Sequence, residues 1–138
     1  MVTINFWPIL VASIVAFALG ALWYSSILFG DEWMSLMKIT DKDVAAAKAK
    51  GGMWKLYVVQ IVFTIVSYCV LGFLVTNMAS VSASDGAFLG FLVWLGFTVP
   101  AAVERLIWEK KPLKLILIQG VLALLNLVIG GAVIGAWR

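Results

Sequence analysis

The side chains in this chain that could do chemistry are a few amides, hydroxyls and carboxylates, and their spacing decides what chemistry is open to them. Gln60, Thr64 and Ser67 stand four and three residues apart, so on a helix all three share one face. Gln119 and Asn126, seven apart, also share a face. Such a stripe can line a pore or crevice. It can equally act as glue between helices, where a polar bond in lipid contributes about 0.6 kcal/mol on average. Glu104 and Arg105 form the nearest ionisable cluster, four residues after Pro100. They read as an interfacial ion pair, with Lys111 and Lys114 as further partners for Glu104. Pro100 cannot donate to the carbonyl of Gly96, so a bend is expected there.

Catalysis finds few tools. The chain has no histidine, the commonest general base and metal ligand. Ser25 and Ser26 therefore lack the usual activating base. Cys69 is the single cysteine, set in an apolar stretch that keeps a thiol inert. No stretch has metal-ligand spacing or a phosphate-binding glycine loop. The expectation is a protein that is not an enzyme, with no cofactor and no metal.

The elements that position these residues follow from composition. Of 138 residues, 64% are hydrophobic and 12% charged. A soluble domain runs at about 45–50% apolar and about 25% charged. A chain this short could not hide so much apolar surface from water. The net charge of +3 does not point to nucleic acid, because the lysines fall in loops between apolar runs. Lipid is the remaining solvent. Crossing it takes about 20 apolar helical residues. Four stretches serve: Phe6 to Phe29, Leu56 to Ala79, Gly86 to Val103, which is the shortest, and Leu115 to Trp137. In hydrocarbon only helices and closed barrels satisfy the backbone, and four strands cannot close a barrel. The predicted fold is an all-α integral membrane four-helix bundle in a single domain over residues 1–138. The first run has no preceding Lys or Arg and is too long for the core of a signal peptide, so it reads as a span.

Nine of the ten Lys and Arg residues lie in the segments after the first and third spans: Lys38, Lys42, Lys48, Lys50 and Lys55, then Arg105, Lys110, Lys111 and Lys114. The positive-inside rule puts residues 30–55 and 104–114 in the cytoplasm and both termini outside. So one-sided a charge distribution disfavours antiparallel pairing, and any homo-oligomer should be parallel. No ionisable residue lies deep in a span, which argues against a coupled pump. Small residues recur at spacing four: Ala12, Ala16 and Gly20, then Gly86 and Gly90, then Gly131 and Gly135. They predict close helix packing, with Gly131 and Gly135 as a subunit interface. Between the first two spans, Asp31 to Lys38 carries Trp33, Met34, Leu36 and Met37 and reads as a short interfacial helix. Thr40 and Asp43 suggest a capping box for an alanine-rich helix over Val44 to Lys50, stopped at Gly51-Gly52. This amphipathic cytoplasmic segment could meet anionic lipid through its lysines.

The stretch GALWYSSILFGDEWMSLM, Gly20 to Met37, resembles the signature of a bacterial membrane family of unknown function, domain of unknown function 1761, with its tryptophan-tyrosine-serine, phenylalanine-glycine and tryptophan-methionine pairs at matching spacing. The matched positions are Gly20, Leu22, Trp23, Tyr24, Ser25, Leu28, Phe29, Gly30, Trp33 and Met34. The stretches GFTVPAA from Gly96 and GAVIGAW from Gly131 are similar to the family more loosely. Ser26 stands where the family has proline, so helix 1 is expected to run straighter into Phe29. Asp31-Glu32 replaces a lysine-containing pair. The resemblance implies a multi-span protein of the bacterial cytoplasmic (inner) membrane and no particular activity. It singles out Trp23, Tyr24, Phe29, Gly30 and Trp33 as an aromatic turn at the headgroups, either an entry or lipid site or an interfacial anchor. The functional expectation is a non-enzymatic membrane component acting through packing, lipid or an unidentified membrane partner in a parallel homo-oligomer. The alternative is a small uncoupled channel or carrier lined by Gln60, Thr64, Gln119 and Asn126.

Overall fold

The structure, a computed structural model, describes residues 5–51, 53–78 and 82–137. Every regular element among them is helical. α1 (Phe6–Trp23), α4 (Met53–Thr76) and α7 (Leu113–Ala136) are each a single helix long and apolar enough to cross a membrane. The other span, Ala83–Trp108, combines α5 (Ala83–Val93), a π-helical turn (Trp94–Thr98) and α6 (Val99–Trp108). Two short helices, α2 (Gly30–Leu36) and α3 (Asp41–Ala49), fill the connection between α1 and α4. Four helices are thus long and apolar enough to span a membrane.

Local chemistry sets the ends. The Asn5 side chain accepts the Trp7 N–H and opens α1. Ser82 Oγ accepts the Asp85 N–H and opens α5. Thr40 and Asp43 form the expected capping box of α3: Asp43 N–H donates to Thr40 Oγ1 at 3.2 Å and Thr40 N–H donates to Asp43 Oδ2 at 2.9 Å. Gly51, at φ +65°, takes the left-handed conformation that closes α3. No residue of α3 is buried, so its cap rather than a packed face holds it.

The spans differ from expectation at three places, two of them boundaries. α1 stops at Trp23 and does not run on to Phe29. Ser25 is the cause: its hydroxyl donates to the Leu22 carbonyl at 2.6 Å, and its own carbonyl accepts from Gly30 at 2.9 Å and Leu28 at 3.2 Å. These bonds close a turn that the missing proline was not needed to make. The third span is the longest and not the shortest, because it continues past Glu104 and Arg105 to Trp108. An apolar run ends at its first charge, whereas this helix runs on until Lys110, at φ +53°, turns the chain left-handed ahead of Pro112. The bend expected at Pro100 is absorbed one turn earlier: Val99 N–H donates to the Trp94 carbonyl, five residues back, and Pro100 then enters α6 in its first turn. The expected end of the second span at Ala79 lies outside the described residues.

The core is formed by α1, α4 and α7. Ile9, Ala12 and Ala16 of α1 meet Tyr68, Leu71 and Val75 of α4 and Ile134 of α7. All seven are buried, and Tyr68 alone among them has a polar atom. α5 packs closely on α7. Gly86 and Gly90 face the α7 backbone, and a Cβ on Gly86 would run into the Gly131 carbonyl. A Cβ on Gly131 or Gly135 would in turn meet the backbone of Gly86 or Ser82. Gly131 and Gly135 therefore serve a seam within the chain. The expectation that they form a subunit interface is corrected: α5 already occupies that face. Ala12 and Ala16 pack as expected, but Gly20 does not, having no atom within 4 Å of where its Cβ would sit.

Candidate functional site

The aromatic turn is built around backbone that only glycine permits. Gly30 is buried, and a Cβ there would collide with the Tyr24 and Ser25 carbonyls. Its N–H and that of Phe29, which donates to the Trp23 carbonyl at 3.0 Å, fold the chain back at the end of α1. That fold brings Trp23 against Phe29, with ring centroids 4.7 Å apart, and Tyr24 against Trp33 at 5.4 Å. The five residues singled out by the family resemblance thus meet at one turn, the four rings as two pairs about Gly30. The Trp23 indole N–H then ties the cluster to α7 by donating to the Ile118 carbonyl at 3.0 Å. The Trp33 indole nitrogen is buried and has no partner among the described residues.

Charge sits beside this cluster. Arg105 donates from Nη2 to Gln119 Oε1 at 2.7 Å, and its Nε lies 3.8 Å from Glu109 Oε2. The expected Glu104–Arg105 pair is corrected by this geometry. Arg105 points toward α7, and the carboxylate one helical turn ahead, not the adjacent one, lies on its side. Glu104 is exposed and forms no ion pair among the described residues. Lys114 pairs instead with Glu32 of α2 at 3.2 Å. That pair spans a shallow open depression of about 290 Å³ lined by Asp31, Glu32, Ser35, Leu36 and Lys114. Burial raises the pKa of the Tyr24 phenol, and the neighbouring Arg105 guanidinium pulls it partly back.

The polar stripes do not converge. Gln119 is spent on Arg105. Asn126 offers its main-chain carbonyl to the Tyr68 hydroxyl at 2.9 Å, while its side-chain Oδ1 is buried without a partner among the described residues. Gln60 and Ser67 are exposed on the outside of the bundle. Thr64 bonds back within its own helix, donating to the Gln60 carbonyl at 2.7 Å and accepting a long 3.4 Å bond from Gln60 Nε2. Within the chain these five side chains neither bond one another across the bundle nor surround a shared cavity. A larger open groove, about 620 Å³, is lined by Val11, Val133, Ala136 and Trp137, with no polar side chain except the Trp137 indole.

Two further residues, which spacing did not single out, belong to the same scheme as Trp23. Trp94 Nε1 donates to the Gly120 carbonyl at 2.9 Å, and Tyr68 does so to Asn126. Three aromatic donors from three different spans therefore reach carbonyls of α7. The available signal was position. Trp and Tyr favour the headgroup layer, so a Trp or Tyr in mid-span needs a partner for its N–H or O–H. Trp7, Trp108 and Trp137 follow the commoner rule and are exposed near span ends.

Chemically the arrangement can anchor, pack and contact lipid. Ser25 spends its hydroxyl on the main chain. Among the described residues no group of three His, Cys, Asp or Glu side chains is placed to hold a metal ion. A bundle of four apolar helices joined through α7, with its aromatic turn at one end, defines a multi-pass helical membrane protein. The chain belongs to the family described as "Protein of unknown function (DUF1761)", whose pattern matches residues 7–135. Searches of curated proteins and of solved structures find no match to it.

Proposed function

We propose that this protein is a non-enzymatic component of the bacterial cytoplasmic membrane that works through contacts with lipid and with other copies of itself. One observation carries the reading. Gln119 of α7 is spent on Arg105, and the Trp23, Tyr68 and Trp94 donors are spent on α7 carbonyls, whereas the polar edge of α4 is turned outward. A path for solute needs polar groups facing a common interior. A contact surface needs them facing out, where lipid offers neither donor nor acceptor. The concentration of Lys and Arg in residues 30–55 and 104–114 supports a cytoplasmic position for those segments, external termini and parallel assembly. The aromatic turn and its neighbouring lysines then sit where anionic headgroups are.

The test is flux. Purified protein reconstituted in liposomes should release entrapped ions and small dyes no faster than empty liposomes do. Release that scales with protein and falls on Gln60→Leu or Gln119→Leu would overturn the contact reading in favour of a small uncoupled channel. For orientation, a reporter fused at the C-terminus should be active outside the cytoplasm.

A further inference from the structure

The cytoplasmic half of α4 stands apart from its own bundle. In the outer half, Tyr68, Leu71 and Val75 are buried against α1 and α7. In the cytoplasmic half, every residue from Trp54 to Phe63 is exposed, with Leu56 at 63% and Phe63 at 64%. Phe17 of α1 touches this half only edge-on, through Tyr57 at 6.2 Å between centroids.

Exposed apolar side chains there are ordinary, since lipid surrounds them. Gln60 is not ordinary. It lies two turns into α4, below the Trp54–Lys55 pair that marks the headgroup level. Its Oε1 accepts no hydrogen bond among the described residues, and its Nε2 has the 3.4 Å bond to Thr64 alone. Lipid tails cannot satisfy either atom. A partner must bring a donor and an acceptor to the same depth. A second copy inserted in the same direction does so automatically, because its own Gln60 lies at that depth and an amide is its own hydrogen-bond complement. The one-sided charge that sets a single insertion direction guarantees the match.

We infer that two copies of this chain pair in parallel through the cytoplasmic half of α4, with the Gln60 amides hydrogen-bonded to each other across a two-fold axis. Leu56, Phe63 and Ser67 share the Gln60 face and flank the contact. The inference deepens the contact reading above, by naming the surface and its occupant.

The test uses disulfide cross-linking in native membranes, in a Cys69→Ala background. Gln60→Cys should give an oxidant-dependent dimer. Val62→Cys, at similar depth on the opposite side of α4, should not. In bilayers, Gln60→Leu should lower the dimer association constant by roughly three- to ten-fold, as expected for losing one or two such bonds, and Gln60→Asn should recover part of it. Unchanged helicity and melting would show that these exposed-site variants still fold. Equal cross-linking at positions 60 and 62, or a dimer indifferent to Gln60→Leu, would overturn this interface. Dimers that cross-link through Phe97→Cys, at a position exposed on the π-helical turn of the third span, and not through Gln60→Cys would also overturn it while leaving self-association intact. A chain that stays monomeric at all bilayer densities would remove both the interface and the self-association on which it rests.

Discussion

The Trp23 indole N–H donates to the carbonyl of Ile118 at 3.0 Å, across 95 residues of chain. It is the point where the signature turn is fixed to the last span. The same α7 backbone accepts from Trp94 and Tyr68, so α7 is the helix to which the other three are tied. Removing a donor while keeping the ring isolates this effect. Tyr68→Phe should lower stability by about 0.6–1 kcal/mol, the range for one such bond in lipid. Trp23→Phe should cost somewhat more, since the smaller ring also loses contact with Phe29. Trp23→Ala should cost about 3 kcal/mol or more by leaving a cavity. Unfolding in mixed micelles, followed by tryptophan emission for Tyr68→Phe and by helicity for the Trp23 variants, measures all three.

The glycines separate by what stands over them. Gly86 and Gly131 abut each other's backbones, so neither has room for a methyl group. Gly86→Ala or Gly131→Ala should force α5 and α7 apart and destabilise the protein by roughly 1–3 kcal/mol. Gly20 faces open space on the same kind of helix. Gly20→Ala should therefore be neutral or stabilising, by up to about 1 kcal/mol, from helix propensity alone. If Gly86→Ala proved as harmless as Gly20→Ala, the intramolecular seam would not be as described. Melting temperatures of the three variants decide it.

How far these relationships were legible in the sequence depends on how local they are. The existence of four spans and the capping box at Thr40 follow from composition and near-neighbour spacing, while the aromatic turn is marked by the family resemblance, and the structure contains all three. Partner choice is not local. Gly131 and Gly135 announce a close approach without saying to what, and only the fold shows that α5 fills the place first. Gln119 announces a need for a partner, and Arg105 meets it because the third span runs on past its first charges. The end of α1 at Trp23 departs from the apolar run for a related reason. Hydropathy continues smoothly to Phe29, while the hydrogen bonds of Ser25 do not.

Acid should loosen α3 before anything else. Hydrogen bonds from the Thr40 main chain and side chain hold the Asp43 carboxyl below its usual value of 3.8. A carboxyl with a lowered folded-state pKa contributes stability that is complete above the unfolded value and is lost as pH falls through the folded one. The cap should thus be intact at neutral pH and weaken only below about pH 4. Amide hydrogen exchange in residues 41–49, corrected for the intrinsic pH dependence, should accelerate there while the spans stay protected. Thr40→Ala should produce part of the same fraying at neutral pH and leave a smaller acid step, because the main-chain N–H that bonds the Asp43 carboxylate survives the change.

Arg105 acts on Tyr24 as well as on Gln119. Burial raises the Tyr24 phenol pKa, and the Arg105 charge opposes that rise. Replacing Arg105 by Gln removes the opposing charge, so the phenol should titrate at still higher pH. Ultraviolet titration of phenolate absorbance, taken as the difference from Tyr24→Phe, follows this group apart from Tyr57 and Tyr68. Gln119→Leu offers the control. It removes the hydrogen bond that positions Arg105 but leaves the charge, held by Glu109 at 3.8 Å, close to the turn. The Tyr24 titration should therefore move little in Gln119→Leu and clearly upward in Arg105→Gln. Equal shifts in the two variants would mean that Tyr24 senses the packing of α6 against α7 and not the guanidinium charge.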